Sequence, residues 1–298
     1  MVSQMNNHNR KDRICLYDEP RVEVFRVEEI AAALQRWLPS FPVELRDDFF
    51  AFHLRQLSAE AREQSLDSLA RALAEARVRD PFSPPPSPRE IPNPDPLPGE
   101  IDYERRRLTE SSHRAFGILY DGYELLSIMR ELIPAEETGL RTLHLAFTNQ
   151  LLGTWDDTDG RYHARVGIFG HPALISIPGL VEAPARPRSY YLLRQQYQAL
   201  GFPEAEEAAL ATATPGEEPR WLEHDDPRLT EALKGYALQA ALYVLTGEAF
   251  CPELNCCLYN AHWQEELIRA QLSPSPALCP RHQRVLERLA TAPEWERW

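Results

Sequence analysis

The stretch 226–260, DPRLTEALKGYALQAALYVLTGEAFCPELNCCLYN, with CPRH following at 279–282, decides how this chain is read. Asp226-Pro227 has the form of a helix start: an acceptor side chain, then a residue with no N–H left to satisfy. Leu229, Leu233, Tyr236, Ala240 and Val244 recur at spacings of three and four, so one stripe of the predicted helix turns toward a core. Gly247 stands where a residue tolerant of positive φ would close that helix.

Four of the five cysteines crowd into residues 251–279. Five are too few for a disulfide scaffold, and in a reducing compartment such crowding points to metal first. Cys251-x4-Cys256, followed by Cys279-x-x-His282, has the spacing of a structural zinc site. Zinc takes four soft or borderline ligands tetrahedrally, and two close pairs on turns supply them without strain. The expected ligands are Cys251, Cys256, Cys279 and His282, with Cys257 as the alternative to Cys256. Without a metal the same residues would be small buried hydrophobes and one surface histidine. A closed four-ligand zinc is structural and non-catalytic. A helix in NAHWQEELIRAQ and a short basic helix after His282 complete this end.

Outward from there, the densest strand signal is TLHLAFTNQLLGTW, an Asp-Gly turn, RYHARVGIF and PALISIPGLV, spanning 142–181. DDTDG lacks calcium-loop spacing and reads as a hairpin turn. Pro184 and Pro187 open a helix that Gly201 ends, and residues 203–224 are Ala/Glu-rich. Upstream, ICLYD is a strand closed by Glu19-Pro20, Leu34, Trp37 and Leu38 belong to a helix stopped by Pro39, and VELRDDFF (43–50) alternates like a second strand. Helices are expected from Ser58 to Val78 and over 101–132. Nine of the 18 residues from Pro81 to Pro98 are proline, which excludes helix and central strand. Residues 1–11 are polar and expected to fray.

The chain has 298 residues, 32 Lys+Arg and 45 Asp+Glu, hence a formal charge of 32 − 45 = −13. That balance argues against nucleic-acid binding, which runs on clustered cations. No apolar run reaches a membrane span and the N-terminus has no signal-peptide core, so a cytoplasmic location is expected.

Gly247-x3-Cys251-x4-Cys256 with Cys-x-x-His at 279–282 resembles the end of the archaemetzincin signature, HExxHxxGxxxC, then x4-C-x-M, then C-x-x-C. Archaemetzincins are zinc-dependent metallopeptidases of the metzincin clan. Less specifically, the resemblance extends to the opening strand-helix-strand and to the β-rich stretch 142–181. It implies that the two zinc-binding histidines fall on Ala240 and Val244, the general-base glutamate on Ala241, the third histidine on Phe250 and the Met-turn methionine on Leu258. The last cysteine is replaced by His282. Alanine, valine and phenylalanine bind no zinc and Ala241 takes no proton, so the structural half of the signature survives and the catalytic half is lost.

The expected fold is therefore α+β: a twisted mixed β-sheet flanked by helices, zincin/metzincin-like, with a C-terminal zinc-knuckle lobe over 247–290. One domain over 12–298 is expected, with 81–98 as a surface excursion within it. The expected function is that of a catalytically inactive archaemetzincin-like protein with one structural zinc ion, binding peptide or protein along an edge strand near 173–181. The alternatives are an active zinc peptidase with ligands relocated to His144, His163, His171 or His224, or a zinc-stabilised interaction module. His262 and Glu266 are expected to form an i,i+4 pair, Cys15 to be a packed thiol, and Arg105, Arg106 and Arg107 to be surface charge. Arg186, Arg188 and Arg194 are expected on a solvated helix face. No nucleic acid, no membrane and a monomer are expected.

Overall fold

A computed structural model describes residues 12–19, 23–85, 95–110, 118–201, 221–273 and 278–291. The expectations for residues 1–11, for most of 203–224 and for the middle of the proline-rich run fall outside the described residues.

The centre is a twisted mixed sheet in the order β2-β1-β4-β8-β7, flanked by helices. Strand β1 (Arg13–Asp18) pairs in parallel with β2 (Val43–Arg46) and with β4 (Thr142–Thr148). Strand β8 (Ala173–Ser176) lies parallel to β4, and the two-residue β7 (Gly167–Ile168) runs antiparallel to β8 at the margin. A second sheet, β3-β5-β6, holds β3 (Leu119–Asp121), β5 (Leu151–Asp156) and β6 (Arg161–Arg165).

Alternation along β1 divides the core. Ile14 and Leu16 join a cluster with α1 (Val27–Trp37) and the long helix α8 (Leu229–Thr246), while Cys15 and Tyr17 join another under α2 (Phe49–Arg55), α3 (Ala59–Glu75) and α5 (Gly122–Leu132). Every residue of β4 is buried, as parallel strands covered on both faces require. Helices α4 (Pro98–Thr109), α6 (Ile177–Glu182) and α7 (Arg188–Ala199) precede α8, and α9 (Gln264–Leu272) and α10 (Pro280–Thr291) follow it.

Several sequence expectations need correction. The alternation in 43–50 ends at Arg46, because the Asp48 carboxylate accepts from the Ala51 N–H and starts α2 at Phe49. The single helix expected over 101–132 is two helices separated by β3 and by residues 111–117, which lie outside the described residues. There Asp121 ends the strand and caps α5, accepting from the N–H groups of Tyr123 and Glu124. Helix α8 begins at Leu229, and Asp226 closes the preceding turn by accepting from the Arg228 N–H. Strand β8 is not an edge: it has β4 on one side and β7 on the other, and the chain turns helical at Ile177 with the Ser176 hydroxyl as cap.

Arg107 is not surface charge. It is buried with Glu104, whose carboxylate also takes a hydrogen bond from the Tyr120 hydroxyl, so the charge is neutralised inside the fold. Arg186 lies over the rings of Tyr190 and Trp221 rather than on a solvated face. The cysteines of the 247–290 segment and its Leu258, Leu267, Leu286 and Leu289 belong to the same core cluster as α8 and the main sheet.

Candidate functional site

Helix α8 ends at Gly247, which adopts φ 75° and bonds its N–H to the Tyr243 carbonyl. A Cβ here would meet open space, so Gly247→Ala carries only the cost of the left-handed backbone. A loss of about 1 kcal/mol is expected, read as a lower urea midpoint with unchanged slope.

The glycine turns the chain into a compact loop. The Cys251 N–H donates to the Leu258 carbonyl at 2.8 Å and the Cys256 N–H to the Glu253 carbonyl at 3.0 Å, folding the first cysteine pair onto one point. The Glu253 N–H also donates to Cys251 Sγ, at 3.4 Å. Cys279 stands at the start of α10, its carbonyl accepting from the Gln283 N–H, and His282 follows in the first turn.

The ligand atoms of Cys251, Cys256, Cys279 and His282 all lie within 4.8 Å of one another, and all four residues are buried. Cys251 and Cys279 Sγ are 3.8 Å apart, and His282 Nδ1 stands 3.8 Å from Cys256 Sγ and 3.1 Å from Cys279 Sγ. A tetrahedral ion with metal–sulfur bonds of about 2.3 Å needs sulfur–sulfur edges of about 3.8 Å, so the observed edge fits an ion at the centre. No disulfide joins these thiols. Burial pushes the Cys251 thiol up to about 12. Three sulfurs this close and this dry can become thiolates together only around a cation, to which the neutral imidazole adds a fourth donor.

Cys257 is not part of the group. Its carbonyl accepts from Gln271 Nε2 at 2.7 Å, which ties it beneath α8 and α9. A hydrogen bond from the Cys257 thiol pushes Cys256 down, and the same bond pushes Cys257 up. The ligand atom that lies with those of Cys251, Cys279 and His282 is that of Cys256.

Beside this cluster lies an open cleft of about 770 Å³. One wall is the end of β6 and β7, from His163 to Phe169, and the other is Tyr236, Tyr243 and the post-helix loop through Phe250. The rings of Phe169, Tyr243 and Phe250 gather there, Phe169 lying 6.2 Å from Tyr243 and 5.8 Å from Phe250. Ala240 and Ala241 are fully buried on the same helix, and neither they nor Val244 lines the cleft.

A sequence-family model described as a family of unknown function, DUF7001, matches residues 15–285. The chain belongs to DUF7001. No curated protein and no solved structure matches it. The part matched to DUF7001 runs from β1 into α10, so it includes all four cluster residues and both walls of the cleft.

The remaining histidines of this DUF7001 chain do not assemble into a second cluster among the described residues. His144 is satisfied on the sheet by Tyr17 and by the Glu137 carbonyl, His171 by the Thr142 carbonyl and His224 by Glu182, while His163 Nε2 lies 2.8 Å from Asp159 without a hydrogen bond. His262 makes no i,i+4 side-chain pair. Glu266 instead reaches back to accept from the backbone N–H groups of His262 and Trp263, capping α9. The cleft aromatics Phe169 and Tyr243 were not singled out by sequence. Tyr243 lies just off the apolar stripe of α8, and only the fold brings it to Phe169.

Proposed function

We propose that this chain is a catalytically inactive, archaemetzincin-like protein that carries one structural zinc ion and binds a peptide or protein segment in its cleft. The carrying observation is the burial of Ala240 and Ala241 on a helix whose Tyr236, Tyr243 and Gly247 border that cleft. Peptide hydrolysis by the metzincin route needs a zinc-bound water and a carboxylate to activate it, and these side chains supply neither. Three thiols and an imidazole in a closed tetrahedron suit zinc better than magnesium or calcium, which prefer oxygen. Free, closely spaced thiols also accord with a reducing, cytoplasmic setting. Among the described residues no helix is long and apolar enough to cross a membrane.

The extended ligand would lie along β7. The Ser176 N–H donates to the Val166 carbonyl, so antiparallel alternation turns the N–H and C=O of Gly167 away from β8, on the side open to strand addition. This replaces the 173–181 edge expected from sequence. The relocated-ligand reading lacks support, because Cys251, Cys256, Cys279 and His282 are the one group of possible ligands among the described residues.

Elemental mass spectrometry beside a fluorescein-casein cleavage assay tests this reading. One zinc per chain and no cleavage above background are expected. A second bound zinc with chelator-sensitive cleavage would restore the peptidase.

A further inference from the structure

The arginines of the described residues fall into a pattern with one departure. Among those whose exposure is described, the ones without a carboxylate partner are exposed, except Arg62, which donates to three backbone carbonyls, and Arg165. Arg165 is half-buried on the cleft wall, and its Nε donates to the Thr154 hydroxyl at 2.8 Å. That bond holds the guanidinium plane while Nη1 and Nη2 find no acceptor among the described residues. In a chain of net charge −13, a guanidinium fixed at Nε with its other nitrogens open to the cleft offers unused donors to an anionic ligand.

We infer that Arg165 is the specificity residue of the cleft and that the ligand brings a carboxylate to it. The inference rests on the peptide-binding reading above. A planar guanidinium anchored through Nε presents its remaining N–H groups to both oxygens of a carboxylate, which a lysine would meet only as a point charge. Of the other titratable groups that line the cleft, His262 is exposed on the segment ahead of α9. Glu248 is paired with Arg281, and His163 with Asp159.

At the far end of the same wall, Phe169, Tyr243 and Phe250 form an apolar seat, with Phe250 45 % and Tyr243 40 % exposed. Such a cluster left open inside a cleft marks a contact surface. Arg165 and Phe169 are four residues apart, at most about 13 Å along extended chain. The ligand is thus a short extended peptide with a carboxylate at one end of the contact and a bulky apolar side chain at the other. The carboxylate comes from an Asp or Glu side chain or from the peptide's own C-terminus.

The test uses fluorescein-labelled hexapeptide pools with Phe or Leu at one fixed position, read by fluorescence polarisation on the full, metal-loaded chain. One pair of pools carries Glu or Gln four positions away in amidated peptides. A second pair has a free or an amidated C-terminus. A preference of about tenfold for the carboxylate member of one pair is expected, and the pair that shows it identifies the source. Arg165→Gln should abolish the preference while leaving the Gln and amide pools bound as before, and Arg165→Lys should keep part of it. Equal binding within both pairs, or a preference that persists in Arg165→Gln, overturns the inference and leaves peptide binding standing. If no pool binds, the peptide-binding reading itself fails and takes this inference with it. Metal content and melting temperature of the two variants, expected unchanged, show that they fold.

Discussion

Replacing Cys279 with serine is expected to abolish metal binding and to lower stability by about 4 kcal/mol. An ion that binds the native state alone stabilises it by RT ln(1 + [M]/Kd), which is about 4 kcal/mol when free metal exceeds Kd a thousandfold. In a chain of this length such a loss lowers the melting temperature on the order of 10 °C. The effect should be global rather than confined to the loop, because Cys251, Cys256 and Cys279 lie in the same core cluster as Ile14 and Leu145 of the central strands. Cys257→Ala is the control. It removes a neighbouring buried thiol that stands outside the group of four, so metal should be retained. Its cost should be that of a small core truncation, about 1 kcal/mol. Metal retained in Cys279→Ser and lost in Cys257→Ala would reverse the ligand assignment. Equal melting curves for wild type and Cys279→Ser would remove the structural role altogether.

The cysteine and histidine cluster was the most legible part of this molecule. Thiol chemistry and close spacing constrain a ligand set almost regardless of the surrounding fold, and Cys251, Cys256, Cys279 and His282 meet at one point as their spacing implied. The choice of Cys256 over Cys257 was not legible, since two adjacent cysteines have the same local pattern. In the fold the Cys256 N–H turns back onto the Glu253 carbonyl while the Cys257 carbonyl is held by Gln271, and only the Cys256 sulfur joins the cluster. Helix α8 with its terminal glycine was also readable, because an apolar stripe of that length is a strong periodic signal. Boundaries failed where a polar side chain overrode periodicity: Asp48 turned a strand into a helix start, and Asp121 cut a predicted long helix in two. The edge strand was misplaced because periodicity marks β8 as a strand but carries no information about its neighbours. Buried charge was misread for the same reason, since Arg107 looks like its exposed neighbour Arg106 until Glu104 and Glu19 are seen beside it.

Acid should destabilise the fold through a second group of residues that sequence treated one by one. On the face of the sheet under α2, the Tyr17 hydroxyl lies 2.8 Å from His144 Nδ1 and 3.2 Å from His53 Nε2 and accepts from Arg46 Nη1 at 2.8 Å. His144 Nε2 faces the Glu137 carbonyl, which can only accept, so that nitrogen carries the proton and Nδ1 receives the Tyr17 O–H. The Tyr17 oxygen is then left to accept from both His53 and Arg46, and every member is satisfied with both histidines neutral. Burial lowers His144 to about 3 and His53 to about 4, and the nearby Arg46 cation works in the same direction on each. Unfolded histidines titrate near 6.5, so the unfolded chain binds more protons once the pH drops below that value. Stability is therefore full above pH 6.5 and falls toward pH 4. Between pH 7 and 5 each histidine contributes a loss of about 2 kcal/mol, about 4 kcal/mol together. Asp18 opposes this, since burial raises its carboxyl to about 6 and its protonation returns about 1 kcal/mol over the same interval. His224, raised by Glu182, opposes it in direction as well. Urea unfolding at pH 7 and pH 5 measures the net loss, and His144→Gln, which cannot titrate, isolates the cause. That variant should be less stable at pH 7 yet lose about 2 kcal/mol less than wild type on acidification. Both proteins keep the same cysteine cluster, so its own acid response cancels in the comparison. An equal loss in variant and wild type would mean that the buried histidine pair does not govern the acid limit of this fold.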